Sequence, residues 1–154
     1  MKIEEIMNER CIYLDQDLNN KDEVFHFLSK VLLDEHMIEN QEEYLKKVYE
    51  RETLSDTGLI DGIAIPHGVS EAVCRPCVAF VRLKQGIEWE TIDGNKVKYV
   101  FLLAIPAHST DNLHIKMISE LACSLMKPQT IQGLKQIQTP KQMLALLTKG
   151  GQPV

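Results

Sequence analysis

Apolar positions recur along the chain in two rhythms, and the alternation between them sketches the fold. Cys11-Ile12-Tyr13-Leu14 is a short apolar run suited to a first or edge strand. Asp15 to Asn20 is rich in turn formers, and Asn20 is placed to cap the next element. Val24, Phe25, Leu28, Val31 and Leu32 then recur at spacings of three and four, which predicts an amphipathic helix from Lys21 to about Asp34. Tyr44, Leu45 and Val48 mark a second helix over Gln41–Tyr49, with a polar lead-in from Arg51 to Thr57 behind it. His26 lies off the first helical stripe and His36 comes after its end, so both read as solvated.

Beyond the middle of the chain, Val78-Ala79-Phe80-Val81-Arg82-Leu83 reads as a strand with Arg82 at its polar end. Trp89, with Ile87, covers the edge of the core, and Glu88 and Glu90 flank it towards water, ahead of a tight Asp93-Gly94 turn. Val97, Tyr99 and the unbroken run from Val100 to Ile105 predict a strand covered on both faces, because a strand buried twice loses strict alternation. Pro106 ends it. Ser109, Thr110, Asp111 and Asn112 are all good N-caps for a helix that turns Leu113, Met117, Ile118, Leu121, Ala122 and Leu125 inward. Shorter helices lie around Ile131–Ile137 and Pro140–Thr148, the last docking Met143, Leu144 and Leu147. The expected fold class is α/β: one domain over residues 1–150, with a mixed, mostly parallel β-sheet flanked by helices on both sides. Residues 151–154 read as a frayed tail.

Composition narrows the partners. A chain of 154 residues with 44% hydrophobic and 25% charged content is an ordinary globular composition. The net charge of −5, with no basic stripe, argues against nucleic acid as a main partner. The first residues alternate charge with apolar side chains and lack a signal-peptide core. No apolar run is long enough to span or insert into a bilayer, so a cytoplasmic location is expected. Cys74-Arg75-Pro76-Cys77 has a redox or half-zinc spacing, but it runs into a strand and lacks a second pair. It reads as two cysteines at a strand entrance. Cys11 and Cys123 sit among apolar neighbours and read as small core residues.

The candidate chemistry lies in Gly58-Leu59-Ile60-Asp61-Gly62-Ile63-Ala64-Ile65-Pro66-His67-Gly68. Gly58 and Gly62 allow backbone angles that side chains forbid, and Ile63-Ala64-Ile65 reads as a short buried strand. Pro66 removes a backbone donor and stops that strand, and Gly68 frees the chain to turn at once. His67 is thereby held at a strand's end between two residues that restrict the backbone. His114 falls in the first turn of the later helix, near unpaired backbone N–H groups that welcome anions, at the kind of strand-to-helix junction where open α/β sheets place ligands. Two such strand ends can lie side by side, with Arg51 and Asp61 as possible neighbours. Three chemistries compete for this pair. A metal lacks H-E-x-x-H or comparable spacing, and a Ser or Cys nucleophile lacks G-x-S-x-G. Histidine as nucleophile needs only a neutral imidazole near pH 7 and a cationic, donor-rich pocket for a phosphoryl group.

Arg51-Glu52, Gly62-Ile63-Ala64-Ile65-Pro66-His67-Gly68, Ala104-Ile105-Pro106 and Asn112-Leu113-His114 together resemble the IIA component of the bacterial sugar phosphotransferase system (PTS), fructose–mannitol type, over almost the whole chain. The resemblance implies that His67 accepts a phosphoryl group on Nε2 from the phosphocarrier HPr. It then passes the group to a cysteine of a separate IIB component, feeding sugar uptake, fructose-like, through the IIC membrane transporter. It implies that His114 is a supporting donor and Arg51 a supporting cation, and that no cofactor or metal takes part. Asp61 stands where the family often has Glu, and His108 matches no family site position. The same site chemistry serves relatives of the nitrogen-regulation type, which bind partner proteins according to phosphorylation state, and this alternative stays open.

Overall fold

The computed structural model describes residues 2–109 and 112–148. The chain runs α1 (Ile3–Ile6), a 3-10 turn (Glu9–Cys11), β1 (Ile12–Gln16), α2 (Lys21–Asp34), α3 (Gln41–Leu54), β2 (Ile63–Ala64), β3 (His67–Ser70), β4 (Cys77–Ile87), β5 (Val97–Pro106), α4 (Leu113–Leu125), α5 (Pro128–Gln136) and α6 (Pro140–Thr148). The strands form one sheet in the order β1-β4-β5, with β2 and β3 in tandem along the far side of β5. β1 is parallel to β4, β2 and β3 are parallel to β5, and the central β4–β5 pair is antiparallel. The expected mixed, mostly parallel sheet is present.

Alternation along β4 and β5 sorts the core into two halves. Ala79, Val81, Leu83, Val100, Leu102 and Ala104 face α2 and α3, whose Phe25, Leu28, Leu32, Tyr44 and Val48 are wholly buried against them. Val78, Phe80, Phe101, Leu103 and Ile105 face Met117, Leu121, Leu134 and Met143 of α4, α5 and α6. Both faces of the central strands are therefore covered, and their sequence reads as a continuous apolar run for that reason. Asn20 and Asn40 cap α2 and α3, each side chain accepting the N–H three residues on.

Several sequence expectations need correction. The α3 helix does not stop near Tyr49 but runs to Leu54, so Arg51 is a helical residue and not part of a loop. Pro66 does not end a strand: it removes one donor and splits a single edge into β2 and β3, and the chain resumes parallel pairing at His67. Gly68 makes no turn. A Cβ there would lie 2.9 Å from Val48 Cγ2 and 3.1 Å from Tyr44 Cε1, so glycine is required for the close approach of β3 to α3. Gly62 does use a positive φ of 78°, whereas Gly58 is crowded by the Glu90 carbonyl.

Arg82 is not at a polar strand end either. β4 continues to Ile87, and Arg82 is buried with its guanidinium paired to Asp15 and donating to the carbonyls of Leu134 and Ile137. It caps the C-terminus of α5, where a cation is favoured. Cys123 is exposed on α4, unlike Cys11, which is buried as expected. The expected caps of α4 fare differently: Asn112 takes the N-cap position in a left-handed conformation (φ 54°) and its side chain makes no capping bond. Thr110, Asp111 and the expected tail at 151–154 lie outside the described residues.

Candidate active site at the edge of the sheet

The local sequence explains why the His67 ring is held. In an extended segment, the N–H and C=O of one residue point to the same side, and neighbours point oppositely. The Pro66 carbonyl points inward and accepts from Leu103 N–H of β5 at 3.0 Å. Ile65 points outward. Its N–H donates to the Thr57 carbonyl at 3.0 Å, and its carbonyl lies 3.3 Å from His67 Nδ1. On the opposite side of the ring, Arg51 Nε–H donates to His67 Nε2 at 3.1 Å. An arginine has no acceptor, so Nε2 must offer a lone pair and Nδ1 must carry the proton. That same tautomer satisfies the Ile65 carbonyl, and the two contacts agree.

His67 is 7% exposed, yet it borders an open cleft of about 320 Å³ lined by Lys47, Glu50, Arg51, Leu54, Val69 and His114 as well. Burial pushes the His67 titration below the ordinary imidazole value of 6.5, and the Arg51 charge and the neighbouring His114 act the same way. The Ile65 carbonyl and the Glu52 carboxylate oppose the shift. Burial prevails, and the ring is neutral with Nε2 unprotonated at physiological pH. Arg51 is steadied by a second bond, from Nη1 to the Ser55 carbonyl at 3.1 Å.

The structure therefore brings together three of the four residues singled out in the sequence: His67 at the start of β3, Arg51 in α3 and His114 in the first turn of α4. Asp61 is not among them. Ile63 pairs with Tyr99 and His67 with Leu103, so even Ile63 lies about 13 Å from His67 at 3.3 Å per residue. Asp61 is farther still, exposed on a separate cleft with Asp15 and Arg82, its N–H bonded to the Asp93 carboxylate. The connection between α3 and β2 carries Asp61 to the opposite end of the sheet. His108 is exposed just beyond β5, and His26 and His36 are exposed as expected.

Lys47, Glu50 and Leu54 were missed as cleft residues. With Arg51 they sit at i, i+3, i+4 and i+7, one face of a helix, and continuing the helical period past Tyr49 would have found them. Leu54 and Val69 give the cleft an exposed apolar rim, at 79% and 39% exposure. Among the described residues no group of three or more His, Cys, Asp or Glu side chains is arranged to hold a metal ion. No described helix is long and apolar enough to cross a membrane.

The model of one protein family, described as "Phosphoenolpyruvate-dependent sugar phosphotransferase system, EIIA 2", matches residues 5–150. The chain is 32% identical over 139 residues to a PTS fructose-like EIIA component of Escherichia coli, covering 90% of this chain and 93% of that one. It is 28% identical over 149 residues to the PTS fructose-specific EIIABC component of Bacillus subtilis; that match covers 97% of this chain but only 23% of the relative's length. Among solved structures, the nitrogen regulatory protein IIA-Ntr of Neisseria meningitidis superposes with a TM-score of 0.85 at 27% identity, covering 94% of this chain and 97% of that one.

Proposed function

The chain belongs to the EIIA 2 family of the phosphoenolpyruvate-dependent sugar phosphotransferase system, and from that premise we propose that it carries a phosphoryl group on Nε2 of His67. The donor is phospho-HPr and the acceptor a cysteine of a IIB component, upstream of the IIC transporter. The observation that supports this reading most directly is the double hydrogen bonding of the ring. Nδ1–H is fixed on the Ile65 carbonyl, which leaves Nε2 as the nitrogen with the electron pair, engaged in the resting protein only by Arg51 Nε–H.

In the first transfer, the Nε2 pair attacks phosphorus as the P–N bond to HPr breaks and its electrons return to the HPr histidine. No proton has to leave the His67 ring, because Nδ1 keeps its hydrogen on Ile65 throughout. Arg51 must release Nε2 as phosphorus arrives, and its guanidinium then meets the phosphoryl oxygens, where negative charge gathers. His114 lies across the cleft as a second donor to those oxygens. In the second transfer, a thiolate attacks phosphorus and the P–N electrons return to Nε2. The open, shallow cleft with its apolar rim suits a macromolecular partner better than a small substrate. The fructose-named relatives support a fructose-like sugar as the final acceptor.

The test is incubation with phosphoenolpyruvate, enzyme I and HPr, with mass spectrometry for acid-labile phosphate. Wild type gains one phosphoryl group and His67→Ala gains none; uptake by that variant at the wild-type level refutes the assignment. The likeness to a nitrogen regulatory protein supports a second reading, in which the phosphorylated state governs binding of other proteins. Chasing labelled protein with purified IIB separates the two, since only the transport reading requires rapid loss of label to the IIB cysteine.

A further inference from the structure

Behind the His67 cleft lies a half-buried ion pair that the transfer chemistry above does not use. Glu52 comes directly after Arg51 on α3, but its side chain turns inward and is only 8% exposed. One carboxylate oxygen accepts from Lys21 Nζ of α2 at 2.8 Å, and the other accepts from the Thr57 hydroxyl. Lys21 is itself placed, with its ammonium 4.7 Å above the Trp89 ring. Thr57 is 3% exposed, and its carbonyl holds the Ile65 N–H, while the Ile65 carbonyl holds His67 Nδ1. One carboxylate thus ties α2, α3 and the connection after α3 into a continuous path that ends on the imidazole.

We propose that Glu52, neutralised by Lys21 and clamped by Thr57, is a positioning residue that sets the orientation and basicity of His67. This rests on the reading of His67 as the phosphoryl carrier, but the placement is a property of the resting protein. The geometry makes two demands on it. The Thr57 backbone can hold Ile65, and through it the Nδ1–H, only while the connection is pinned to α3, and the Glu52–Thr57 bond is such a pin. A buried carboxylate this close to the site also acts on the ring through space, and the Glu52 charge favours protonated His67. Lys21 determines how much of that charge the ring feels. The other charged or titratable groups facing the ring are Arg51 on α3 and His114 on α4, with Lys47 and Glu50 lining the cleft; Glu90 lies within electrostatic reach of Lys21 and Glu52.

A pin alone and a charge-balancing pair differ in the sign of what their removal does. In Glu52→Gln the Thr57 contact can persist while Lys21 is left unbalanced, so the His67 pKa falls. In Lys21→Met the carboxylate is unmasked, so the His67 pKa rises. The double variant is neutral again and returns close to wild type. Each single shift should be roughly half a pKa unit or more, as expected for a unit charge acting through partly buried protein.

The measurement is a titration of the full chain by nitrogen-detected NMR of the imidazoles, with His67 assigned by the His67→Gln variant and folding checked by the amide spectrum. The acid limb of the transfer rate from phospho-HPr should move in the same directions, because only the neutral ring attacks. Shifts of the same sign in both single variants, or none in a folded single variant, overturn the proposal. Should Glu52→Gln fail to fold, Lys21→Met and the double variant still decide it: a rise in the first that the second does not cancel refutes it. Failure of phospho-HPr to label the wild-type protein would overturn the carrier reading instead and would leave the titration pattern standing.

Discussion

Replacing Gly68 by alanine should injure the site without touching any group in it. The added Cβ would lie 2.9 Å from Val48 Cγ2, 3.1 Å from Tyr44 Cε1 and 3.2 Å from Val48 N. None of these can step aside cheaply. Val48 is β-branched and fully buried, its N is helix backbone, and the Tyr44 hydroxyl is bonded to the Leu103 carbonyl at 2.7 Å. Relief must come from α3 moving off β3 by a few tenths of an ångström, an overpacking cost of about 1–3 kcal/mol. Gly68 is not at positive φ, so the stiffer alanine returns roughly 0.4–1 kcal/mol through the unfolded chain. A net loss of about 1–2 kcal/mol corresponds to a melting temperature lower by about 2–8 °C at this chain length. The same displacement carries Arg51 away from His67, and a bond of 3.1 Å lengthened by a few tenths of an ångström falls outside the usual N–H donor range and weakens. Phosphoryl uptake should therefore slow by about 10-fold or more, toward the range for one lost stabilising donor. Thermal unfolding and rapid-quench transfer from phospho-HPr measure the two effects. A variant with wild-type melting temperature and wild-type transfer would refute the account of Gly68 as a spacing residue between β3 and α3.

Three further outcomes are expected from the same geometry. His114→Ala should leave the fold and HPr binding intact and slow transfer by roughly 100-fold, the low end for a lost donor to developing charge; equal rates in both directions would make His114 a helix-face residue only. Cys74→Ser combined with Cys77→Ala should transfer at near the wild-type rate. Alanine is preferred at Cys77 because that residue is 3% exposed and an unpartnered serine hydroxyl there would cost about 1–3 kcal/mol, so loss of transfer in a folded double variant would show that the thiols take part. Because His67 is held below its ordinary value, the unfolded chain binds its proton at a higher pH than the folded chain does. Wild type should therefore lose stability relative to His67→Gln as pH falls from 6.5 through the folded pKa and no further below it, read by urea unfolding at a series of pH values. Parallel stability curves would show that burial does not control this ring.

Periodicity revealed most of the fold because both sheet faces are covered and each helix buries one stripe. The extent of β5, the Asn20 cap on α2 and the buried Trp89 and Ile87 were all legible in this way, whereas the Asn40 cap on α3 was not singled out. The features that stayed concealed were set by approach and not by pattern. Gly68 looks like a turn residue because the reason for it, the surface of α3, is 20 positions earlier at Val48. Arg82 looks like a strand-end charge because its partners, Asp15 and the Leu134 and Ile137 carbonyls at the end of α5, come from both ends of the chain. Asp61 looked close to His67 because the intervening residues are few, but an extended segment converts few residues into a long distance. The placement of Arg51 and His114 beside His67 was legible from the family resemblance; that Arg51 bonds Nε2 itself was not.

The position of His67 on an edge strand has a chemical consequence that an interior strand could not supply. Each extended residue directs its polar groups to one side, and on an edge the outward groups have no strand to pair with, which is ordinarily a liability. Here the outward pair belongs to Ile65, and both of its groups are spent on the site: N–H on the Thr57 carbonyl and C=O on His67 Nδ1. Moving this segment to the middle of the sheet would give that carbonyl to a neighbouring strand. The ring would then lose the contact that fixes its tautomer, and with it the lone pair on Nε2 that the proposed transfer requires. Pro66 completes the arrangement. Its missing N–H falls on the inward side, so the interruption costs a donor toward β5 and leaves the outward contacts of Ile65 untouched. Burial keeps the ring neutral, the Ile65 carbonyl keeps its proton on Nδ1, and Arg51 donates to Nε2; on the proposed reading it is the cation that the phosphoryl oxygens would meet. An exposed loop histidine would have the reach but neither the fixed tautomer nor the depressed titration, and a core histidine would have both but no partner could reach it. The sheet edge is the place in this fold where all three requirements coincide.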